Sequence, residues 1–136
     1  MRRLASSAAI LLVVASGVGR GQTDVGPEDA VAGGITFSRH CVRCHGAEGR
    51  GDGPMADNLR FEPADLRLIA RRNGGKFPTD RVRRIVDGRV AVKGYGGSDM
   101  PLFGDVFRNA AAGYDAQIAE LQLRAVVAYV RTLQVR

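Results

Sequence analysis

The two cysteines of this chain stand three residues apart, at Cys41 and Cys44, and His45 follows directly. Residues at this spacing lie on the same side of a helix, so one helical turn presents both sulfur atoms in one direction. Thioether bonds to the two vinyl groups of a haem need that placement, and the adjacent imidazole can then bind the iron. The C-x-x-C-H pattern therefore predicts one haem c, attached covalently through Cys41 and Cys44, with His45 as an iron ligand.

Three other kinds of site use a close pair of cysteines. A thioredoxin-like redox pair expects a βαβ context and needs no histidine directly after it. A structural zinc site needs a fourth ligand, and the other histidine, His40, directly precedes Cys41 and is poorly placed to complete a tetrahedron. A disulfide across this spacing closes a loop too small to stabilise the fold much. Haem attachment uses every residue of the pattern.

An iron bound by His45 either takes a second axial ligand or keeps an open site, and the candidate ligands are Met55, Met100 and His40. His40 lies beside the attachment side, and Met55 follows His45 too closely to reach easily over the ring edge. Pro101 restricts Met100 to extended backbone, which suits a loop that lays a thioether over a flat ring. We expect Met100 to be the second ligand, the alternative role being to fill a gap in the core.

The elements that must position these residues are helices. Hydrophobic periodicity and end signals predict four of them: Glu28 to Arg43, Ala64 to Arg72, a helix that Thr79 caps and Gly88 ends, and Asp115 to about Leu133. Two Gly-rich segments, 46–54 and 88–104, are predicted as loops. No strand pattern competes with this interpretation. The sequence therefore predicts an all-α domain with long loops.

The apolar residues of the first and last helices are expected to face the core. In the first helix they are Val31, Ile35, Phe37 and Val42, and in the last they are Ile118, Leu121, Ala125, Val126, Tyr129, Val130 and Leu133. The chain has 136 residues, few aromatics and 18 glycines, so it forms one small domain with a thin core. We expect a bound group to fill its centre.

The first residues have the pattern of a secretory signal peptide. Arg2 and Arg3 precede an uncharged, largely apolar run from Ala8 to Val18, and small residues follow. The alternative is a membrane anchor, but a span needs about 20 apolar residues and Arg20 ends this run earlier. We expect residues 1–21 to be removed, with cleavage between 17 and 22, and the domain at 22–136 to be periplasmic without a stable membrane anchor.

The positive charge lies mainly in the middle of the chain. The formal charge of +6 falls to +3 without Arg2, Arg3 and Arg20, and most of the remaining basic residues lie in 60–93. These residues are not interleaved with aromatics, and zinc-finger spacing is absent, which argues against nucleic-acid binding. We expect Arg81, Arg84 and Lys93 to form a docking face for an acidic redox protein, the alternative being a solvated helix face.

These features together resemble a small class I c-type cytochrome of the exported bacterial kind. The resemblance covers nearly all of 30–133: Gly34 and Phe37, then Cys41, Cys44 and His45, then Gly49, Gly51, Gly53 and Pro54, then Met100, Pro101, Phe103 and Gly104, and finally Tyr129. It implies a cytochrome c fold of about four to five helices around one haem c. In that fold His45 is proximal, Met100 is distal, and the first and last helices cross near Gly34, Phe37 and Tyr129.

The resemblance also implies a role for Pro54, and other residues are candidates for roles around the haem. A proline after the haem loop offers its carbonyl to the proximal histidine, and Pro54 matches by position, although it is equally well explained as an ordinary loop proline. Candidates for the cavity wall, each of which can equally be plain core, are Leu59, Phe61, Leu66, Leu102 and Phe103. Tyr95 is a candidate hydrogen-bond donor to a propionate or to the Met100 loop, and Arg60 and Arg67 are candidate counter-charges, the alternative for all three being solvent exposure.

An iron held by a histidine and a thioether has no vacancy for oxygen, peroxide or substrate. The expected function is therefore a monomeric periplasmic electron carrier rather than an enzyme. A cytochrome subunit of a larger dehydrogenase or oxidase is the first alternative. A haem enzyme or gas sensor is the second, and it requires that Met100 leave the iron unligated.

Overall fold

The computed structural model describes residues 26–90, 99–110 and 116–135. In these ranges it contains α1 (Pro27–His40), α2 (Val42–His45), α3 (Ile69–Arg72), α4 (Thr79–Asp87), α5 (Phe103–Ala110) and α6 (Ala116–Thr132), with 3₁₀ turns at Ala56–Asn58 and Leu66–Leu68. The described residues form no strand, which confirms the all-α expectation. None of these helices combines the length and apolarity that a membrane span requires. The expected signal peptide lies outside the described residues.

Helix α1 begins and ends close to the expected positions. Pro27 occupies the first turn, where its missing N–H costs no hydrogen bond, and Glu28 and Asp29 follow it at the positive end of the helix dipole. The helix stops at His40, and the chain turns at Cys41 before α2 begins. The expected single helix from Glu28 to Arg43 is therefore interrupted at the first cysteine.

Helices α1 and α6 cross at very short range. A Cβ atom on Gly33 would lie 1.8 Å from the backbone carbonyl oxygen of Ala125, so only glycine permits this approach. One turn further along, the rings of Phe37 and Tyr129 pack with their centroids 5.1 Å apart. A Cβ on Gly34 would also meet the Tyr129 ring, at 3.2 Å. The implied crossing near Gly34, Phe37 and Tyr129 is confirmed.

The core consists of two apolar clusters that share α6. The first contains Phe37, Val82, Val126, Val127 and Val130, and the second contains Phe103, Phe107, Ala119 and Leu123. Because α6 packs against α1, α4 and α5, the buried residues of its second half lie on more than one face of the helix. This arrangement makes α6 the central element of the fold.

Four apolar residues expected in the core are exposed. The exposed fractions are 71% for Val31, 55% for Ile35, 36% for Ile118 and 53% for Leu121. The close crossing at Gly33 decides which side of α1 faces inward, and that side carries Thr36 and Phe37. The expected stripe was therefore wrong at these positions, because a contact between two backbones set the orientation.

Helix α4 differs from the expected helix at its first residue and agrees with it at its last. Pro78 occupies the N-cap position without a side-chain hydrogen bond, and Thr79 is the first helical residue rather than the cap. Gly88 ends the helix with φ +87°, a left-handed conformation that favours glycine, as expected. Helix α5 was not predicted, because its start lies in the segment interpreted as a Gly-rich loop.

Candidate cofactor cavity

A cavity of about 520 Å³ lies between α1, α2, the 59–73 segment, α4, the 99–101 segment, α5 and α6. Its wall is mainly apolar and includes Cys41, Cys44, His45 and Met100. Cofactor sites of roughly 300–1,000 Å³ with apolar walls and a few polar groups are typical of proteins. The fold therefore brings all four residues with expected haem chemistry to one cavity of suitable size.

One tight helical turn presents the two cysteines. The backbone N–H groups of Cys44 and His45 both donate to the carbonyl oxygen of Cys41, at 3.2 and 2.9 Å. Both cysteines are partly buried free thiols. Burial, with a smaller effect of neighbouring Cys44, raises the pKa of Cys41 to about 12. A redox-active cysteine needs a lowered pKa, so this environment does not favour a thioredoxin-like pair.

The structure also provides no evidence for a zinc site. Within the described part of the chain, no group of three or more histidine, cysteine or acidic residues is arranged to hold a metal ion. His40 lines the cavity at the end of α1, where its ring packs edge-on against Phe107 and Phe103 with centroids 5.5 and 5.9 Å apart. The arrangement of the two cysteines therefore fits attachment of an organic ring better than tetrahedral metal binding.

The His45 ring is oriented by a backbone carbonyl. Its Nδ1 atom lies 3.0 Å from the carbonyl oxygen of Ala64, and because a carbonyl only accepts, Nδ1 donates. Burial lowers the pKa of His45, while the Ala64 contact acts in the opposite direction. A neutral ring that donates from Nδ1 has its lone pair on Nε2, which is the form that binds iron.

The expected role of Pro54 is corrected by this contact, since the acceptor is Ala64. Pro54 is exposed and does not line the cavity. The loop that contains it folds back along the backbone of α2, where the N–H of Gly53 donates to Cys44 at 3.1 Å. The chain reaches the imidazole only later, at Ala64. The available sequence signal was Pro63, a second proline after the haem loop.

Met100 and Met55 lie in different environments. Met100 lines the cavity and packs against the cluster of Phe103 and Phe107. Met55 lies outside the cavity, and its sulfur accepts a contact of 3.4 Å from the Arg43 guanidinium. Met100 is thus the methionine that shares a cavity with His45.

Most of the expected wall residues line the cavity. They are Leu59, Phe61, Leu66 and Phe103. Leu102 does not line it, is 52% exposed, and covers the backbone of Gly88 instead. Pro101 fixes the chain direction between Met100 and Leu102, so the two neighbouring side chains of this segment face different surroundings.

The two arginines expected to balance the propionate charge do not contact the cavity. Arg60 and Arg67 do not line the cavity, and each pairs with an aspartate: Arg60 with Asp99 and Arg67 with Asp65. The arginines on the described cavity wall are Arg72 and Arg81, which the sequence interpretation did not assign to it. Tyr95 and Lys93 lie outside the described residues.

The chain matches a protein-family model. The model is described as Cytochrome c and matches residues 30–134, from within α1 to beyond the end of α6. No curated protein and no solved structure matches the chain. The matched range contains the cysteine pair, both expected axial residues and the whole described cavity wall.

Proposed function

The chain belongs to the cytochrome c family, and we propose that it carries single electrons between redox partners in the periplasm. In this proposal Cys41 and Cys44 hold one haem c covalently, and His45 and Met100 are its axial ligands. The observation that carries the proposal is that these four side chains line one apolar cavity, although they come from the turn at Cys41, from α2 and from a segment far along the chain.

The residues present fit a haem. Two free thiols on one turn suit attachment to two vinyl groups, and the cavity volume of about 520 Å³ suits a large flat ring. Arg72 and Arg81 lie on the wall, where their guanidinium groups can pair with propionate carboxylates. When bound, the haem supplies an iron that changes reversibly between the ferric and ferrous states.

The protein's own residues decide what that iron does. The Ala64 carbonyl keeps the His45 ring in one orientation and one tautomer, and this hydrogen bond makes the imidazole a stronger donor. A thioether ligand such as Met100 raises the reduction potential, and apolar walls limit access of solvent. With His45 and Met100 both bound to it, the iron would have no position left for oxygen, peroxide or substrate, so electron transfer is the chemistry that these residues would support.

Reductive titration of the full chain, expressed with export and haem-attachment machinery, tests this function. We expect recovery from the periplasmic fraction, uptake of one electron per chain, and no binding of carbon monoxide by the reduced protein. Carbon monoxide binding to the native reduced protein would contradict His/Met ligation and favour a haem enzyme or gas sensor. Copurification of large partner subunits would favour a subunit of a larger complex.

A further inference from the structure

The segment that carries Met100 is held by different contacts on its two sides. On the downstream side it leads into α5 and packs against the end of α4. On the upstream side Asp99 binds Arg60, which lies 39 positions earlier in the chain. We infer that Asp99 is a positioning residue that holds the Met100 segment across the cavity.

The Asp99 carboxylate uses both of its oxygen atoms on Arg60. Oδ2 accepts the backbone N–H of Arg60 at 2.9 Å, and Oδ1 accepts Nε and Nη2 of its guanidinium, each at 3.1 Å. The Asp99 side chain is 20% exposed, whereas that of Arg60 is 69% exposed. The carboxylate is therefore well satisfied, and part of its binding is to a backbone group that no side-chain substitution of Arg60 removes.

This contact joins two parts of the cavity wall. Leu59 and Phe61, on either side of Arg60, line the cavity, and so do Asp99 and Met100. The Asp99–Arg60 pair thus closes a chain segment over the cavity rather than bridging two positions on a distant surface. Losing it would allow the upstream end of the Met100 segment to move away from the wall.

The downstream end has its own anchor. Leu102 packs so closely on Gly88 that a Cβ atom there would lie 2.6 Å from the Leu102 Cδ2 atom. Helix α5 is tied to α4 by Arg108, whose Nη1 atom lies 3.1 Å from the fully buried carboxylate of Asp87. Because these contacts do not involve Asp99, we expect a substitution at Asp99 to loosen the upstream end of the segment and to leave α5 packed.

The inference rests on the proposed function, because it concerns Met100 as an iron ligand. With Met100 as an iron ligand, an external ligand such as imidazole would bind ferric iron only in place of the Met100 sulfur. Any contact that keeps the segment closed therefore lowers the apparent affinity for imidazole. A contact that only stabilises the overall fold does not change the apparent affinity for imidazole.

Imidazole titration of the ferric holoprotein tests the inference. We expect Asp99→Ala to bind imidazole about fivefold more tightly than the wild type, the factor typical of losing one partly exposed ion pair. Asp99→Asn should show a smaller increase, because its amide oxygen can still accept the Arg60 backbone N–H. Arg60→Ala should also show a smaller increase than Asp99→Ala, for the same reason.

Glu120→Ala is the matched control. Glu120 pairs with Arg83 at 3.3 Å, spans a similar sequence distance, and does not line the cavity. The Glu120→Ala variant should bind imidazole with the affinity of the wild type. An equal increase in Glu120→Ala and Asp99→Ala would show a general loosening of the fold and would overturn the positioning role.

Two results could fail separately: the role of Asp99 and the assignment of Met100 as a ligand. The Met100→Ala variant distinguishes them through the far-red absorption band that sulfur ligation gives ferric haem. If Met100→Ala abolishes the band and opens the site while Asp99→Ala binds imidazole like the wild type, the role of Asp99 is wrong and the proposed function stands. If Met100→Ala matches the wild type in both the band and imidazole affinity, the ligand assignment is wrong and the inference falls with it.

Discussion

His45 is held by its neighbours in both sequence and space. The turn of α2 places it next to Cys44, and the Ala64 carbonyl fixes its ring through Nδ1. The position of the imidazole thus depends on two segments that are 19 residues apart. At this scale the site is defined by backbone geometry as much as by side-chain identity.

At Met100, substitution by alanine should open the sixth coordination site. We expect a lower reduction potential and loss of the far-red band, because a thioether ligand favours ferrous iron and gives that band. Met55→Ala should change neither property, since Met55 contacts Arg43 outside the cavity. Redox potentiometry and absorption spectra of both variants check this, and the reverse pattern would assign the ligand to Met55.

The residues of the attachment pattern were predictable because their chemistry depends on neighbours in sequence. Cys41, Cys44 and His45 lie within one turn, so spacing alone indicates what they can bind. Ala64 was not predictable, because any residue supplies a carbonyl oxygen and only the path of the chain selects one. The resemblance pointed to a proline, and the contact lies one residue after a different proline, Pro63.

At the scale of elements, the crossing of α1 and α6 organises the fold. Gly33 lets the two backbones touch, and this contact determines that Phe37 faces inward while Val31 and Ile35 face solvent. Periodicity in the sequence predicted the presence of both helices and the approximate extent of α6, whereas α1 ends at His40 rather than at Arg43. Periodicity did not predict their rotation, because it depends on a contact between distant positions.

We expect Gly33→Ala to destabilise the protein, although alanine is the better helix former by about 1 kcal/mol. Its Cβ atom would lie 1.8 Å from a backbone oxygen, and overpacking of this kind costs about 1–3 kcal/mol. Gly34→Ala is the matched control, since its Cβ would meet only the Tyr129 side chain, at 3.2 Å. Chemical unfolding monitored by circular dichroism compares them, and a Gly33→Ala variant as stable as Gly34→Ala would contradict the crossing.

Helix α5 shows a different limit of sequence interpretation. Gly104 stands at its second position, next to the buried carboxylate of Asp87, and glycine there indicates a loop when only the sequence is considered. The helix is stabilised by burial of Phe103 and Phe107 and by the pairing of Arg108 with Asp87. These interactions are tertiary, so local patterns did not predict the helix.

For the whole molecule, the arginines on the described part of the cavity wall are exposed. Arg72 and Arg81 lie on the cavity wall and are exposed, and Arg84 is exposed on α4. The uneven charge along the sequence predicted a basic surface near Arg81 and Arg84. We propose that these arginines form a positive surface that attracts acidic redox partners and raises the rate of association.

Electron transfer to an anionic oxidant such as hexacyanoferrate(III) should therefore slow as ionic strength rises. Salt screens charges over about 8–10 Å, so attraction by this surface weakens. The double variant Arg81→Glu with Arg84→Glu should make the electron-transfer rate less dependent on ionic strength. The control Arg131→Glu, on the last turn of α6, should have a smaller effect on this dependence. Stopped-flow rates measure this, and a wild-type rate that stays constant or increases with salt would show that the surface does not steer electron acceptors.

The proposed function depends on covalent attachment of a haem through Cys41 and Cys44 at the centre of the fold. Extraction of the purified, exported protein with acidified acetone tests this most directly, because it removes haem that is held only by axial ligands and packing. We predict that haem stays on the wild-type chain and is absent from the chain of the Cys41→Ala, Cys44→Ala variant. Haem that passes into the acetone from the wild-type protein, or a wild-type protein that carries none, would show that the two cysteines do not hold a haem.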